Sequence, residues 1–308
     1  MNCTSIREML KVSEISKSYD EVRALNKISF SVDQGELFGL IGPDGAGKTS
    51  IFRIIATLLL PDEGNVLFDG RDVVEDYEHV RKNVGYMPGR FSLYQDLSVR
   101  ENLDFFATIF NTSVDENMYL IREIFKQLEP FQKRRAGALS GGMKQKLALS
   151  CALIHKPKML LLDEPTTGVD AVSRKEFWNM LQGLKEQGIT ILVSTPYMDE
   201  SRLCDRVALM QEGEIMDMDQ PQVIASNMDR TVFEIRGEDL YSILDEMREV
   251  KGVARAYPFG DSIHVYGEKG IDADEHIRSR FPDAGLHIRV IEPGIEDAFM
   301  NLMVRSDE

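Results

Sequence analysis

Cysteine, basic excess and long apolar runs are what this chain of 308 residues has least of. Its three cysteines, Cys3, Cys151 and Cys204, are odd in number and far apart. That spacing suggests neither a disulfide framework nor a zinc site and points to a reducing cytoplasm. Acids outnumber bases 51 to 36, a formal charge of −15, so nucleic acid, which draws on a basic surface, is not an expected partner. The most apolar run, 51–60, carries Arg53 and is too short to span a bilayer. Residues 1–10 include Arg7 and Glu8 with no apolar segment behind them, and do not read as a signal peptide. Any membrane role is therefore expected to pass through a partner. Internal repeats and low-complexity tracts are missing too. A hydrophobic content of 43% over this length supports one large domain with a small one, or two of medium size.

What the chain does have is a glycine-rich loop between a strand pattern and a helix pattern. The apolar run 37–41 leads into Gly42, Pro43, Asp44, Gly45, Ala46, Gly47, Lys48, Thr49 and Ser50, and an amphipathic stretch follows from Ile51. This fits G-x-x-x-x-G-K-[ST]: glycines let successive backbone N–H groups turn inward around a phosphate chain, and the helix N-terminus adds its positive dipole end. In that chemistry Lys48 reaches the β/γ-phosphates and the Thr49 hydroxyl takes Mg²⁺. A second strand, Met159 to Leu162, ends in Asp163 and Glu164. Asp163 suits the metal carboxylate and Glu164 the general base. Taken alone, the two acids could equally be solvated or cap a helix.

The rest of the pattern places these motifs. Alternation in 12–15 and 28–32 predicts strands of an antiparallel flank, with a further strand at 65–68 and another at 84–87. Residues 97–154 have helical spacing and read as a helical insertion, ending in Ser140-Gly141-Gly142 and a helix with Met143, Leu147, Cys151 and Ile154 on one face. Buried strands at 159–163, 189–194 and 207–210 alternate with helices, so the core is α/β with parallel strands. From about 226 a second unit reads β-α-β-β-α-β with a last helix at 295–304, the order of a small ferredoxin-like α+β sandwich. Its His264, His276 and His287 lack ligand spacing.

At Leu139-Ser140-Gly141-Gly142-Met143-Lys144-Gln145, taken with the Lys48 loop and Asp163-Glu164-Pro165, the chain resembles the ATP-binding subunits of ABC transporters over residues ~10–225. The resemblance implies a P-loop NTPase core (1–225, helical subdomain about 90–155) and an accessory domain at 226–308. Its ligands would be ATP and Mg²⁺. It also implies a homo- or heterodimer in which Ser140, Gly141 and Gly142 act on the partner subunit's ATP, although Ser140 also suits an ordinary helix cap. Tyr19 matches the adenine-stacking aromatic and Asp170 the dimer-contact loop. Segment 91–102 matches the surface that touches an integral membrane permease, which would place the chain on the cytoplasmic face of the membrane. The core, with its appended C-terminal domain, is most similar to exporter systems of the ABC-2 type, drug-efflux ATPases included. Two positions depart from the family pattern: Gly89 stands where a glutamine is usual, and Pro196 where a histidine is usual. Proline has neither an imidazole nor an N–H, so slow hydrolysis is expected. Two alternatives share these residues: a regulatory or scaffold subunit with little hydrolysis, and a soluble ABC regulator without a transport role.

Overall fold

A computed structural model describes residues 7–268, 270–282 and 285–303. Cys3 and most of the stretch read for a leader lie outside them, as does Val304 at the end of the expected last helix. The chain divides into two compact units, Met1–Gln220 and Pro221–Glu308.

The first unit runs β1 (Glu8–Tyr19), β2 (Val22–Asp33), β3 (Leu37–Ile41), α1 (Lys48–Ile55), β4 (Glu63–Phe68), β5 (Arg71–Asp72), α2 (Tyr77–Asn83) and β6 (Val84–Met87). It continues through α3 (Val99–Ile109), α4 (Val114–Phe125), α5 (Gly141–Leu153), β7 (Met159–Asp163), α6 (Ala171–Glu186), β8 (Thr190–Thr195), β9 (Arg206–Gln211) and β10 (Glu214–Asp219). The strands form two sheets. An antiparallel one has the order β2-β1-β4-β5, and the central one has the order β10-β9-β3-β8-β7-β6. In the central sheet β9, β3, β8, β7 and β6 are parallel and only β10 is antiparallel. Every residue of β3, β7 and β8 is buried, which is why their middles read as continuous apolar runs rather than alternating ones, polar residues falling only at the ends of β7 and β8. Phe38, Leu40, Phe52, Leu161 and Leu192 share one core with Val12, Ile28 and Phe68 of the antiparallel sheet.

Two differences from the sequence reading have packing causes. Helix α5 is not one-faced: Lys146, Leu147, Leu149, Ser150, Cys151, Ala152 and Leu153 are all buried. It packs against α3, α4, α6 and β6 together, so most of its second half is covered. Strand β10, with the polar sequence Glu-Ile-Met-Asp-Met-Asp, lies on the edge of the sheet, where one-sided pairing tolerates acids. Cys151 and Cys204 are both buried and unbridged.

The second unit is α7 (Pro221–Ser226), β11 (Val232–Arg236), α8 (Leu240–Arg248), β12 (Val253–Phe259), β13 (Ser262–Gly267), α9 (Ala273–Arg280), β14 (His287–Ile291) and α10 (Ile295–Met303). Its sheet order, β12-β13-β11-β14, is antiparallel throughout, the split β-α-β arrangement expected from the element order. Ile235, Ile263 and Val265 meet Leu240, Met247 and Ile277 of the helices in one core. Asp297 of α10 accepts from Tyr266 Oη at 2.9 Å and from the Gly294 amide at 2.7 Å, and lies 2.8 Å from His264 Nδ1. This polar cluster ties α10 to the sheet. It accounts for His264 as a packed core residue.

Candidate functional site

The site begins with the turn that follows β3. Gly42 opens it in a space where a Cβ would stand 2.2 Å from Met210 O. Gly47 closes it at φ 99, with a hypothetical Cβ 2.6 Å from Ala24 O. Both positions demand glycine, one for close approach and one for conformation and close approach together. Helix α1 starts directly afterwards, with Lys48 and Thr49 in its first turn. Lys48 is 3% exposed, and its Nζ donates to Gly42 O at 2.7 Å and Pro43 O at 2.9 Å. The same ammonium lies 3.3 Å from Glu164 Oε1.

The carboxylates arrive through strand register. Asp163 is the last residue of β7, opposite Ser194 of the parallel neighbour β8. Its Oδ1 accepts from Thr49 Oγ1 at 3.3 Å and from Ser194 Oγ at 2.7 Å. Glu164 leaves the strand at φ 49, an uncommon conformation for a non-glycine residue. Burial, then the Asp163 charge, push the nearby Tyr86 phenol up to about 12. Lys48, Thr49, Asp163 and Glu164 are thus gathered in one place although more than a hundred residues separate the pairs. The arrangement offers a cation and hydroxyl and carboxylate oxygens to a phosphate chain and its metal. Ser194 is a member of this cluster that sequence reasoning passed over. The signal for it was the β7–β8 register, not any local motif.

The remaining predicted residues fall around this centre. Tyr19, 40% exposed, has its hydroxyl 3.2 Å from Ser50 Oγ. Asp44 and Gly45 lie exposed on the loop and Ala46 is buried. Gly89 follows β6, and a Cβ there would stand 3.1 Å from Asp163 O. Pro196 follows Thr195, whose carbonyl accepts from the Gly42 amide at 3.3 Å. Both departures from the family pattern therefore border the Lys48 loop or Asp163.

Ser140 and Gly141 are exposed at the start of α5, and Ser140 Oγ accepts from the Met143 amide at 3.4 Å, the capping geometry. A Cβ on Gly142 would stand 2.6 Å from Ser173 Oγ, so a glycine is needed where α5 meets α6. Asp170 caps α6, accepting from the Val172 and Ser173 amides at 3.1 and 3.0 Å, and these bonds hold its carboxyl below the usual range.

Segment 91–102 is organised by Asn102, which is fully buried. Its Oδ1 accepts from Tyr94 N at 3.1 Å and its Nδ2 donates to Tyr94 O at 3.0 Å and Ser98 O at 2.9 Å. Beside it lies an apolar groove of about 360 Å³ lined by Phe91, Leu93, Phe106, Ile109, Phe110 and His155. His155 stacks on Phe110 at 3.8 Å, and burial lowers its pKa from 6.5 to about 4. A depressed folded-state value means stability that is complete above pH ~6.5 and lost as the pH falls towards 4. A shift of that size is linked to about 3 kcal/mol. Melting temperatures are expected to drop between pH 7 and pH 5 in the wild type and to drop less in His155→Phe. Parallel curves for the two proteins would refute the assignment.

Residues 25–167 match a family described as "ABC transporter". A Nod factor export ATP-binding protein I of Burkholderia thailandensis is 35% identical over 300 residues, 95% of this chain and 96% of that one. The probable multidrug ABC transporter ATP-binding protein YbhF of Escherichia coli is 37% identical over 284 residues, 91% of this chain, and this chain spans about half (49%) of its length. Among solved structures, the ATP-binding cassette MJ0796, a dimer in a post-hydrolysis state bound to ADP and Pi, aligns with a TM-score of 0.62 and 26% identity. The alignment covers 69% of this chain and 98% of that one. The chain belongs to the ABC transporter family, as one of its ATP-binding cassettes.

Proposed function

We propose that the chain is the ATP-binding and hydrolysing subunit of an ABC exporter, and that it works as a pair of cassettes with ATP between them. The observation that carries this reading is the convergence of Lys48, Thr49, Asp163 and Glu164, with Lys48 Nζ 3.3 Å from Glu164 Oε1 and Thr49 Oγ1 3.3 Å from Asp163 Oδ1. Arrival of the nucleotide gives Lys48 a β/γ-phosphate partner in place of its own loop carbonyls. Glu164 is then free to take the proton of the attacking water. Amides of the loop 42–50 hold the phosphates, and Tyr19 offers its ring to adenine.

Hydroxyl and carboxylate oxygens suit a small hard cation that keeps several waters, so Thr49 and Asp163 would hold Mg²⁺. Bound there, the ion supplies charge neutralisation at the β/γ-phosphates. Ser140, Gly141 and Gly142, at the exposed start of α5, serve the γ-phosphate of the other subunit, and Asp170 sits in the loop that meets it. One chain carries both half-sites, so two copies suffice.

Among the described residues no helix is long and apolar enough to cross a membrane. The groove beside segment 91–102 is the surface we assign to a permease partner, which would hold the chain at the cytoplasmic side of the membrane. Export is named for the Burkholderia relative and multidrug transport for the Escherichia one, which supports an exporter. A second reading is a scaffold subunit that binds ATP and hardly hydrolyses it, and Gly89 and Pro196 favour it. Nucleotide binding tests what both readings share. Lys48→Ala is expected to weaken a fluorescent ATP analogue by about 100-fold, the scale of a lost charge-assisted contact in a buried site. Unchanged affinity would remove the loop from the account.

A further inference from the structure

We propose that Ser194 is a positioning residue for both carboxylates of the site, a role that rests on the nucleotide-binding reading above. Ser194 is fully buried at the end of β8 and directly opposite Asp163. A serine hydroxyl has one proton and two lone pairs, and here both capacities are used on the site. The hydroxyl donates to Asp163 Oδ1 at 2.7 Å and accepts from the Glu164 amide at 3.0 Å. The Glu164 amide also reaches Ser194 O at 3.2 Å.

The two bonds do different things. Donation to Oδ1, which also takes the Thr49 hydroxyl at 3.3 Å, fixes the rotation of the Asp163 carboxylate. Its other oxygen, Oδ2, then faces Gly89, 3.8 Å from where a Cβ at that position would stand. Acceptance from the Glu164 amide holds that residue at φ 49. A left-handed non-glycine conformation is strained and persists only when its surroundings enforce it. Ser194 touches neither nucleotide nor water in this scheme. It sets where the metal carboxylate and the base point. Pro196, two residues on, brings no donor to the same strand end, so Ser194 is the β8 side chain that addresses the carboxylates.

Partners that orient a metal ligand typically contribute 10–100-fold in metal affinity. The test measures binding of trinitrophenyl-ATP in EDTA and across a Mg²⁺ titration, for the wild type, Ser194→Ala and Ser194→Cys. Cysteine fills the space but hydrogen-bonds weakly, so it decides the matter where the alanine variant melts too early to assay. Both variants are expected to bind the analogue in EDTA within about twofold of wild type while their Mg²⁺ midpoints rise, by about tenfold for alanine. Mg²⁺ midpoints unchanged in both variants would overturn the positioning role. So would equal losses with and without Mg²⁺, which mark a merely structural residue. Wild-type protein that fails to bind the analogue at all would instead overturn the nucleotide-site reading beneath it.

Discussion

Glu164→Gln is expected to lower ATP turnover by about 1,000-fold, within the range that a positioned general base supplies, while leaving the nucleotide bound. The substitution keeps the size of the side chain and removes its charge. Glu164 is the carboxylate 3.3 Å from Lys48 Nζ, and its Oε2 accepts from Thr167 Oγ1 at 3.3 Å. An amide can keep the Thr167 contact but cannot take a proton from water. Single-turnover phosphate release with Mg-ATP is the measurement. A variant that turns over at the wild-type rate while still binding ATP would show that the base is another group.

The second large effect is a gain. Gly89→Gln combined with Pro196→His is expected to raise turnover at least about 10-fold, since one positioned electrostatic contact in a transition state is worth roughly 10²–10³. The full factor is not expected at position 89. A side chain there begins with a Cβ 3.1 Å from Asp163 O, so the backbone must give by a few tenths of an ångström before a glutamine can extend. At position 196 the change supplies both a missing ring and a missing N–H at the end of β8, next to the residue that accepts from Gly42. If steady-state turnover of purified double mutant and wild type agree within twofold, the two departures do not limit hydrolysis, and the slow-turnover reading fails.

What could be read from the sequence was what depends on local chemistry. The loop at 42–50 is legible because its glycines are required by backbone conformation and close approach, and Lys48 and Thr49 follow them directly. Strands β3, β7 and β8 are legible because burial on both faces leaves their middles apolar, with the polar residues Asp163, Thr190, Ser194 and Thr195 confined to the ends of β7 and β8. The second unit's sheet order follows from its element order, since a split β-α-β unit has few ways to close. What escaped is what distant elements make together. Ser194 has no motif of its own; it becomes part of the site only because β7 and β8 pair in parallel with Asp163 opposite it. Helix α5 looked one-faced because a single helical wheel cannot know how many neighbours will cover it. The groove lined by Phe91 and Leu93 is built from residues between Ala56 and His155, and no window of sequence contains it. Asp297, which ties α10 to His264 and Tyr266, lay in a segment read only as the last helix of the second unit.

The central claim is that the Lys48 loop is half of a site that another subunit's Ser140 completes. Light scattering of the Glu164→Gln protein with and without Mg-ATP tests it most directly, because this variant holds the nucleotide without cutting it. The account predicts one chain per particle without nucleotide and two with it, one ATP bound per chain, and a return to single chains when Ser140→Arg is added. Protein that is saturated with ATP yet stays at the mass of one chain would contradict it.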